Sequence, residues 1–428
     1  MTFVPNSSAS AANDILDIQA HSAILVDGNS GMILYEKESE TALPTASMTK
    51  MMTEYLVLEA IQEGKITWEQ ETGISEYVYK ISQNRNLSNV PLRSDGKYNV
   101  RELYEAMAIY SANGATIALS EVVAGSETNF VKMMNDKAAE LGLETYKFVN
   151  TTGLNNKDLL GMHPEGTGAE EENLMSAKAT AKLAYHLIND YPEVLETASI
   201  PKKIFREGTS DAINMSNWNW MLPSLIYGYE GVDGLKTGST DLAGYCFTGT
   251  AEKNGIRLIS VVMKAGSYED RFGETRKLFD YGFSNFSVEE IVPAGYQDPN
   301  LTVLPVDKGK ENEVEVKSTN PISILIKRGE KELYEPTVTI DESLLNKDGA
   351  LTAPVEKELK VGTLSVAYKG EGQLKFLTSK GEELLATDVI TTANVEKSNW
   401  FILFFKAIGG FFGDIFSSAA DGIKGLFS

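Results

Sequence analysis

The sequence predicts a mixed α/β domain whose antiparallel sheet is flanked by helices, followed by a small all-β sandwich and a C-terminal amphipathic helix. Within residues 12–285, apolar runs with turn sequences between them alternate with long stretches of helical periodicity. From residue 286 short alternating runs replace the helical pattern. From residue 397 the helical spacing of apolar residues returns. We therefore predict a first domain over 12–285, a β-rich domain over 286–396 and a helical segment over 397–428.

Two hairpin patterns predict the strands of the first domain. Residues 22–26 and 32–35 are apolar, and Asp, Gly, Asn and Ser fill the connection between them. Residues 245–250 and 258–263 alternate like strands around an Asn-Gly pair, which is a strong hairpin signal. Cys246 falls in this second pair and is predicted to be a buried thiol, not a nucleophile. Because it is the one cysteine of the chain, no intramolecular disulfide is possible.

Helices are predicted between these strands. One begins near Ser47 and is expected to end at a glycine, and another follows Asn99 with the spacing of a capping box. The second pattern breaks at Ser-Ala-Asn-Gly and then resumes. A break of that kind places Ser111 and Asn113 in a tight connection, where their side chains can face a cleft.

The β-rich domain is predicted from alternating runs such as residues 314–316, 322–326 and 364–368, which Gly, Asn, Asp and Lys turns separate. A further run, Leu374-Lys375-Phe376, is expected to belong to it. No constellation of chemistry-bearing residues stands out among these strands. We therefore expect this domain to serve as a spacer or an interaction module.

Composition limits the classes of function. The 428 residues carry 39 basic and 60 acidic side chains, for a net charge of −21. No basic block offers a footprint for phosphate groups, which argues against nucleic acid as a partner. His21, His163 and His186 are the three histidines and lie far apart, so neither a histidine-based metal site nor a Ser-His-Asp triad is expected. We expect no metal and no cofactor.

The N-terminal residues suggest export. Ala9-Ser10-Ala11 has the small-x-small form of a signal-peptidase site, so we interpret residues 1–11 as the remnant of a signal peptide. An ordinary N-terminus rich in Ser and Ala is the alternative. N-terminal sequencing of the mature protein would decide between the two.

The C-terminal segment suggests contact with a membrane. Residues 400–428 repeat apolar side chains, many of them phenylalanine, at three- and four-residue steps, with charged, glycine and serine residues on the other face. The charges recur too often for a spanning helix of ~20 apolar residues, and an in-plane amphipathic anchor fits better. We expect the protein at the extracytoplasmic face of the membrane, held peripherally through residues 398–428. The alternative is a helix docked on the protein itself or on a partner.

Ser47 and Lys50 form the first candidate pair for chemistry. They stand three residues apart at a helix start, so hydroxyl and amine share one face and can meet. The partial positive charge of a helix N-terminus favours an alkoxide at Ser47. Lys50 must lose its proton to act as a base, and burial and a second cation would both lower its pKa. The alternative is a lysine on a solvated helix face beside an N-terminal serine.

Two further triplets strengthen the catalytic interpretation. Ser111-x-Asn113 lies in the inter-helix connection, and Lys236-Thr237-Gly238 lies on a predicted strand. In this order the three motifs resemble those of the penicillin-binding and serine β-lactamase superfamily, and more narrowly the low-molecular-mass D-alanyl-D-alanine carboxypeptidases. The Gly-Leu-Lys-Thr-Gly strand, the β-rich second domain and the amphipathic C-terminal helix are also similar to that family. The resemblance covers nearly the whole chain.

The resemblance implies a β-lactamase/transpeptidase-like fold for residues 12–285 and acyl transfer without a cofactor. Ser47 would attack the carbonyl of a D-Ala-D-Ala amide in a peptidoglycan stem peptide, and Lys50 would take its proton as general base. Ser111 would relay the proton to the leaving amine, and Asn113 would hold the substrate amide. Water would then hydrolyse the acyl-enzyme. A β-lactam would mimic the substrate and acylate Ser47.

The same resemblance implies the substrate-binding residues. Lys236 and Thr237 would bind the terminal carboxylate, with Gly238 completing the triplet. The backbone N–H groups of Ser47 and Ser239 would form the oxyanion hole.

Arg271 aligns with a family arginine that helps to hold the carboxylate. Arg257 and Arg276 lie nearby in the sequence, and a helix N-terminal ion pair is the alternative role for Arg271.

Two other functions stay open. A class A serine β-lactamase shares the three triplets but needs a deacylating glutamate in a Glu-x-x-Leu-Asn loop. Residues 170–174, Glu-Glu-Glu-Asn-Leu, have Leu and Asn in the wrong order. Such an enzyme would also leave the β-rich domain and the C-terminal segment unexplained. The other possibility is a non-catalytic, membrane-tethered cell-wall binding protein, against which the intact Ser47, Lys50 and Lys236 argue.

Overall fold

The computed structural model describes residues 14–399, which divide into two compact units. The first unit extends to Ser287 and includes Leu374–Gly381, and the second contains Val288–Gln373 and the residues from Glu382 onward. The predicted signal-peptide remnant and residues 400–428 of the predicted anchor lie outside the described residues. Within the described part of the chain, no helix combines the length and the apolar character needed to cross a membrane.

The elements are numbered in chain order. The helices are α1 (Lys50–Gln62), α2 (Glu76–Ser82), α3 (Val100–Tyr110), α4 (Asn113–Ala124), α5 (Glu127–Glu140), α6 (Ala177–Asp190), α7 (Val194–Ala198), α8 (Tyr268–Asn285) and α9 (Ser379–Glu383). The strands are β1 (Ala20–Asp27), β2 (Ile33–Lys37), β3 (Leu43–Pro44), β4 (Glu71–Thr72), β5 (Tyr98–Asn99), β6 (Tyr146–Lys147), β7 (Leu174–Met175), β8 (Lys202–Phe205), β9 (Ile213–Ser216), β10 (Val232–Thr240), β11 (Gly244–Lys253), β12 (Ile256–Ala265), β13 (Phe286–Val292), β14 (Val303–Asp307), β15 (Glu313–Ser318), β16 (Ile322–Lys327), β17 (Tyr334–Ile340), β18 (Leu351–Thr352), β19 (Lys360–Tyr368) and β20 (Ala386–Thr391).

A five-stranded sheet with the order β10-β11-β12-β1-β2 forms the centre of the first unit. Every neighbouring pair in it is antiparallel, and the pairs β1–β2 and β11–β12 are the two hairpins that the sequence predicts. β1 and β12 are buried along nearly their whole length, so both faces of the sheet must be covered. Helix α8 packs against β11 and β12, and α6 packs against β1 and β12. The predicted mixed fold with a helix-flanked antiparallel sheet is confirmed.

Helix α3 begins and ends as the sequence predicts. The side chain of Asn99 accepts a hydrogen bond from the backbone N–H of Glu102 at 2.8 Å, and the Glu102 carboxylate accepts one from the backbone N–H of Asn99 at 3.0 Å. This reciprocal pair is a capping box. The helix ends at Tyr110 because Ser111 adopts a left-handed backbone conformation, with φ 60° and ψ 30°. Helix α4 then starts at Asn113, so a sharp corner separates the two helices.

Ser47 lies just before helix α1, in a 3₁₀ turn over Ala46–Thr49. The sequence predicted a helix start at this position, and the structure places the first α-helical residue at Lys50. In a 3₁₀ turn, residues three apart are nearly eclipsed, so the pairing of Ser47 with Lys50 survives this difference. Helix α1 ends as predicted, because Gly64 follows it with a φ of +71°.

The second unit contains a six-stranded sheet with the order β17-β19-β20-β15-β14-β18, and a pair of strands, β13 and β16. Burial alternates along β15, where Val314, Val316 and Ser318 point inward. Leu364 on β19 and Val389 on β20 join them in the interior. The alternation of apolar and polar residues in the sequence therefore correctly predicts that this unit is rich in β-strands.

The run Leu374-Lys375-Phe376 pairs with the first unit instead of the second. The backbone N–H of Ile33 donates to the carbonyl of Lys375 at 2.8 Å, and the N–H of Leu377 donates to the carbonyl of Gly31 at 2.9 Å. The segment thus meets the free edge of β2. Alternation predicts that a run is strand-like, but it does not say which sheet edge the run will meet.

Candidate active site

The turn that carries Ser47 lies directly against strand β10. A Cβ atom added to Gly238 would stand 2.6 Å from the carbonyl oxygen of Thr45 and 3.1 Å from the backbone nitrogen of Ser47. A Cβ atom added to Gly153 would stand 1.8 Å from the carbonyl oxygen of Ala46. Backbone occupies both places where a side chain would be, so these two glycines let the turn sit between β10 and the loop after β6. The third residue of the Lys-Thr-Gly triplet therefore has a steric reason to be glycine.

Lys50 and Ser47 contact each other, as the motif spacing predicts. The ammonium nitrogen Nζ of Lys50 lies 2.9 Å from Oγ of Ser47, 2.9 Å from Oδ1 of Asn113 and 2.6 Å from the carbonyl oxygen of Thr152. Lys50 is fully buried. Three acceptors around one buried nitrogen hold it in place beside the hydroxyl. The solvated-face alternative for Lys50 is therefore wrong.

The surroundings of Lys50 favour its neutral form. Burial lowers the pKa of Lys50 well below its usual value, and the positive charge of Lys236 lowers it further, while Glu54 opposes the shift. A neutral amine 2.9 Å from the hydroxyl can accept its proton.

Ser111 and Lys236 form a second pair on the other side of the site. Nζ of Lys236 donates to Oγ of Ser111 at 3.0 Å and to the carbonyl of Thr237 at 3.3 Å. The left-handed backbone of Ser111 turns this residue out of α3, and Lys236 reaches it from β10. Burial lowers the pKa of Lys236 as well, Glu54 raises it, and Arg271 lowers it.

Asn113 is held in place by Lys50 and Ser88. Its Oδ1 atom accepts from Lys50, and its Nδ2 atom donates to the carbonyl of Ser88 at 3.0 Å. Its backbone N–H also donates to Ser88, at 2.9 Å. The amide is therefore held with a single orientation of its oxygen and nitrogen, which is what orienting a substrate amide requires.

An open cleft gives access to Ser47. Its lining consists of residues from all three motifs together with aromatic and basic side chains, namely Ser47, Ser88, Ser111, Trp218, Thr237, Gly238, Ser239, Tyr268 and Arg271. Thr237 is 6% exposed, so it borders the cleft without extending into solvent. The structure therefore gathers Ser47, Ser111, Thr237, Gly238, Ser239 and Arg271 around one opening, and it places Lys50, Asn113 and Lys236 directly behind it.

Arg271 reaches the cleft from α8 with free donor groups. Its Nη1 atom contacts the carbonyl oxygens of Gly238 at 3.4 Å and Cys246 at 3.5 Å. Its Nε and Nη2 atoms are buried and have no hydrogen-bond partner among the described residues. No ion pair with a described carboxylate accompanies them, so the predicted alternative of a helix N-terminal ion pair is not found. Buried guanidinium donors without partners are available to an anionic ligand.

Cys246 is buried, as predicted. Its Sγ atom contacts the carbonyl of Ala243 at 3.4 Å, and burial raises the pKa of the thiol to about 11. It therefore remains a neutral thiol at ordinary pH.

A buried network that the sequence did not predict supports the turn at Ser47. The side chain of Asn173 donates to Oγ1 of Thr49 at 3.0 Å and to the carbonyl of Asn150 at 2.8 Å. The side-chain oxygen of Asn150 in turn accepts a hydrogen bond from the backbone N–H of Thr152. The carbonyl oxygen of Thr152 accepts the hydrogen bond that Lys50 donates. Asn150 and Asn173 are more than twenty residues apart, so no motif spacing connects them in the sequence. The contribution of Thr152 is a backbone carbonyl, which does not depend on the type of residue and therefore leaves no mark in the sequence.

The acidic loop at residues 170–174 does not supply a base to the cleft. The Glu172 carboxylate accepts from Oγ1 of Thr240 and from Nδ2 of Asn155, each at 3.3 Å. Glu172 is not one of the described residues that line the cleft. Within residues 14–399, which the structure describes, no group of three or more His, Cys, Asp or Glu side chains could hold a metal ion.

Comparison with known families identifies the first unit and the second. Residues 6–267 match the family model described as D-alanyl-D-alanine carboxypeptidase, and residues 286–397 match the C-terminal domain of penicillin-binding protein 5. This chain belongs to the D-alanyl-D-alanine carboxypeptidase family. The resemblance inferred from the three motifs is therefore confirmed.

Individual relatives of the family agree with this assignment. The chain is 32% identical to the D-alanyl-D-alanine carboxypeptidase DacF of Bacillus subtilis, over 94% of this chain and 95% of that protein. It is similar to the peptidoglycan synthesis regulatory factor PBP3 of Streptococcus pneumoniae, with a TM-score of 0.71 and 36% identity over 89% of this chain and 100% of that one. It is also similar to ampicillin-bound penicillin-binding protein D2 of Listeria monocytogenes, with a TM-score of 0.52 and 35% identity over 63% of this chain and 99% of that one.

Proposed function

We propose that this chain is a serine-type D-Ala-D-Ala carboxypeptidase, which removes the terminal D-Ala from peptidoglycan stem peptides. The observation that carries the proposal is the contact between the buried Lys50 amine and the Ser47 hydroxyl at the base of an open cleft. Family membership supports the choice of substrate, since the family model and several similar relatives bear the name of this activity.

Acylation begins at Ser47. Its Oγ attacks the carbonyl carbon of the penultimate D-Ala, and Nζ of Lys50 takes the hydroxyl proton. The oxygen of the tetrahedral intermediate is stabilised by the backbone N–H groups of Ser47 and Ser239, the second of which lies on β10 beside the turn. The C–N bond then breaks, and the leaving amine receives a proton through Ser111. Water attacks the resulting ester, which releases the shortened peptide and restores the Ser47 hydroxyl.

The terminal carboxylate of the substrate is bound on the β10 side of the cleft. Lys236 and Thr237 approach it from the strand, and Arg271 approaches it from α8. The free Nε and Nη2 donors of Arg271 support this role, because a carboxylate would satisfy both. Asn113 orients the substrate amide on the opposite side of Ser47.

β-Lactam antibiotics are expected to acylate Ser47. They present a strained amide and a carboxylate at the spacing of the D-Ala-D-Ala end, so the same groups would bind them. The likeness to an ampicillin-bound penicillin-binding protein supports this expectation.

We also propose that the protein is exported and held at the extracytoplasmic face of the membrane by residues 398–428. The supporting observation is the repeat of apolar side chains in the sequence of that segment. A chain ending at residue 397 is expected in the soluble fraction after cell lysis, whereas the full chain is expected in the membrane fraction. Equal partition of the two would contradict the proposal.

A serine β-lactamase is the second candidate, and it is less well supported. Glu172 is held by Thr240 and Asn155 instead of lining the cleft, so no described loop glutamate is placed to activate water for rapid deacylation. Nitrocefin turnover separates the two functions. A carboxypeptidase is expected to hold a bound penicillin and release it slowly.

The reaction class is tested with a synthetic pentapeptide ending in D-Ala-D-Ala. After incubation with the protein, mass spectrometry is expected to show loss of one alanine. A peptide that ends in L-Ala should remain intact under the same conditions. An unchanged D-Ala-D-Ala peptide, together with no labelling by fluorescent penicillin, would favour a non-catalytic cell-wall binding protein.

A further inference from the structure

A buried carboxylate lies behind the two lysines, and none of the three motifs includes it. Glu54 follows Lys50 by four residues on α1, so the two side chains share one face of the helix. Glu54 is 3% exposed. Helix α1 packs against both β10 and α3, and these elements carry Lys236 and Ser111 to the site.

Three basic groups are buried close together in this region. Lys50, Lys236 and Arg271 are 0%, 3% and 1% exposed. Buried cations without a counter-charge are strongly destabilising, so a nearby acid has a large effect on which of them keeps its proton. The negative charge of Glu54 raises the pKa of both Lys50 and Lys236.

Among the described residues, the other titratable groups that interact with Glu54 do not supply a second counter-charge to the lysines. Tyr104 faces it from α3 with a hydroxyl that is buried and has no hydrogen-bond partner among the described residues. The pKa of Tyr104 is raised by burial, by Glu54 and by Glu193, so it remains a neutral phenol. On β10 the group that interacts with Glu54 is Lys236. The positive charge of Arg271 on α8 lowers the pKa of Lys236 and so disfavours its charged form. The balance of charge at the lysines therefore depends on Glu54.

We propose that Glu54 is a positioning residue whose buried carboxylate is the counter-charge that keeps Lys236 an ammonium beside Ser111, while Lys50 stays the neutral base. This role rests on the proposed carboxypeptidase function, because the substrate carboxylate is what Lys236 would bind. Glu54 itself touches neither substrate nor Ser47. It acts through the charge state of a residue that does.

The direction of the effect depends on pH. Burial raises the pKa of Glu54, and the positive charges of Lys236 and Lys50 oppose that rise. Burial lowers the pKa of Lys236, Glu54 raises it, and Arg271 lowers it. The negative charge of Glu54 therefore opposes the loss of the Lys236 proton as the pH rises, and this charge is absent at acid pH, where Glu54 is protonated. Removing the carboxylate should therefore affect the alkaline side most.

The test compares kcat/KM for the D-Ala-D-Ala pentapeptide across pH in the full chain and in Glu54→Gln. In the variant, the alkaline limb of the profile is expected to move to lower pH by about one unit, which is the size of effect that one nearby opposite charge has. The acid limb is expected to move less. At alkaline pH the loss should be found mainly in KM, since an uncharged Lys236 binds a carboxylate less well. Glu121→Gln is the matched control, because Glu121 is a partly buried acid on α4 that bonds Ser75 and lies outside this cluster.

A profile of unchanged shape with a uniformly lower rate would overturn the proposal, because it would mean that Glu54 only packs. If Glu54→Gln does not fold, Glu54→Asp carries the test. Its shorter side chain draws the carboxylate away from Lys236, so the alkaline limb should move in the same direction by a smaller amount, and an unmoved limb would overturn the proposal. A failure of the carboxypeptidase function itself would look different, since the unaltered chain would then release no alanine at any pH.

Discussion

The interiors of the two units differ in the kind of polar group that they bury. The first unit buries charged side chains, namely Asp27, Lys50, Glu54, Glu127, Glu172, Lys236, Arg271 and Glu274. Among the described residues of the second unit, the buried polar side chains are hydroxyls, namely Ser318, Thr387, Thr391 and Ser398. The interior of the first unit thus contains buried charged side chains, whereas the described interior of the second unit contains none.

This difference indicates where chemistry can occur. Burying a charge is costly unless hydrogen bonds or a partner compensate for it. Some buried acids of the first unit are compensated locally, as Glu127 is by the backbone and hydroxyl of Thr151. By contrast, Lys50 and Lys236 bond Ser47 and Ser111 of the cleft lining from behind, and Arg271 lines the same cleft with unpaired donors. Convergence of this kind is characteristic of functional sites, and nothing comparable is described in the second unit.

The largest effect is expected from removing the nucleophile. Ser47→Ala should lower kcat/KM for the pentapeptide by about 10⁵-fold or more, because no other hydroxyl occupies its place beside Lys50. It should also abolish covalent labelling by fluorescent penicillin. The measurement is a labelling gel beside a steady-state assay. Ser120→Ala is the control, since that buried hydroxyl donates to Ile117 within α4 and should be dispensable. Normal labelling of Ser47→Ala would mean that another residue is acylated.

The second largest effect is expected from removing the base. Lys50→Met should lower the acylation rate by about 10²- to 10⁴-fold, the usual contribution of a positioned general base. Stopped-flow measurement of penicillin acylation reports this step directly. Lys137→Met is the control, because that lysine pairs with Glu59 and Glu140 away from the cleft. An acylation rate within about threefold of the unaltered chain would assign the base to another group.

The contrast between units also explains what sequence alone could predict. Ser47, Lys50, Ser111, Asn113 and the Lys-Thr-Gly triplet are short-range patterns on recognisable elements. Their spacing predicted the contact of Ser47 with Lys50, and the resemblance to the family implied that the three motifs meet at one site. The capping box before α3 and the hairpins of the central sheet were predicted for the same reason: local chemistry determines them.

Long-range contacts explain what sequence alone could not predict. Thr152 supplies a backbone carbonyl, and Asn173 joins Thr49 across more than a hundred residues, so neither leaves a periodic signal. Glu54 belongs to none of the three motifs, and its burial is apparent only in the folded chain. Leu374-Lys375-Phe376 was identified as strand-like, but its pairing with residues 31–33 depends on which edge is free in the folded chain.

A smaller effect is expected from Arg271. Arg271→Gln should raise KM for the pentapeptide by about 10- to 100-fold with a lesser change in kcat, which corresponds to the loss of a charge-assisted hydrogen bond. Arg276→Gln on the same helix is the control, since that side chain donates to the carbonyls of Tyr227 and Gly228 instead of lining the cleft.

A peptide with a C-terminal amide sharpens this test of Arg271. If the guanidinium binds the carboxylate, the amide substrate should show little difference between Arg271→Gln and the unaltered chain. Equal losses with both substrates would show that Arg271 only supports the packing of α8 against the sheet.

The smallest effect on activity is expected from the interior of the second unit. Leu364 is fully buried on β19, opposite Val338 on β17. Leu364→Ala should lower the free energy of unfolding of that unit by about 2–5 kcal/mol, the usual cost of a cavity in a core. Denaturant unfolding measures this loss. Val288→Ala, at a half-exposed position of β13, should change the stability little.

Because every residue assigned to the reaction lies in the first unit, kcat/KM of Leu364→Ala should equal that of the unaltered chain wherever both are folded. A fall in kcat/KM under those conditions would mean that the second unit contributes to the reaction despite burying no charge. The difference in buried charge between the units would then no longer mark the boundary of the catalytic machinery, and the search for further functional residues would have to extend into the β-rich unit.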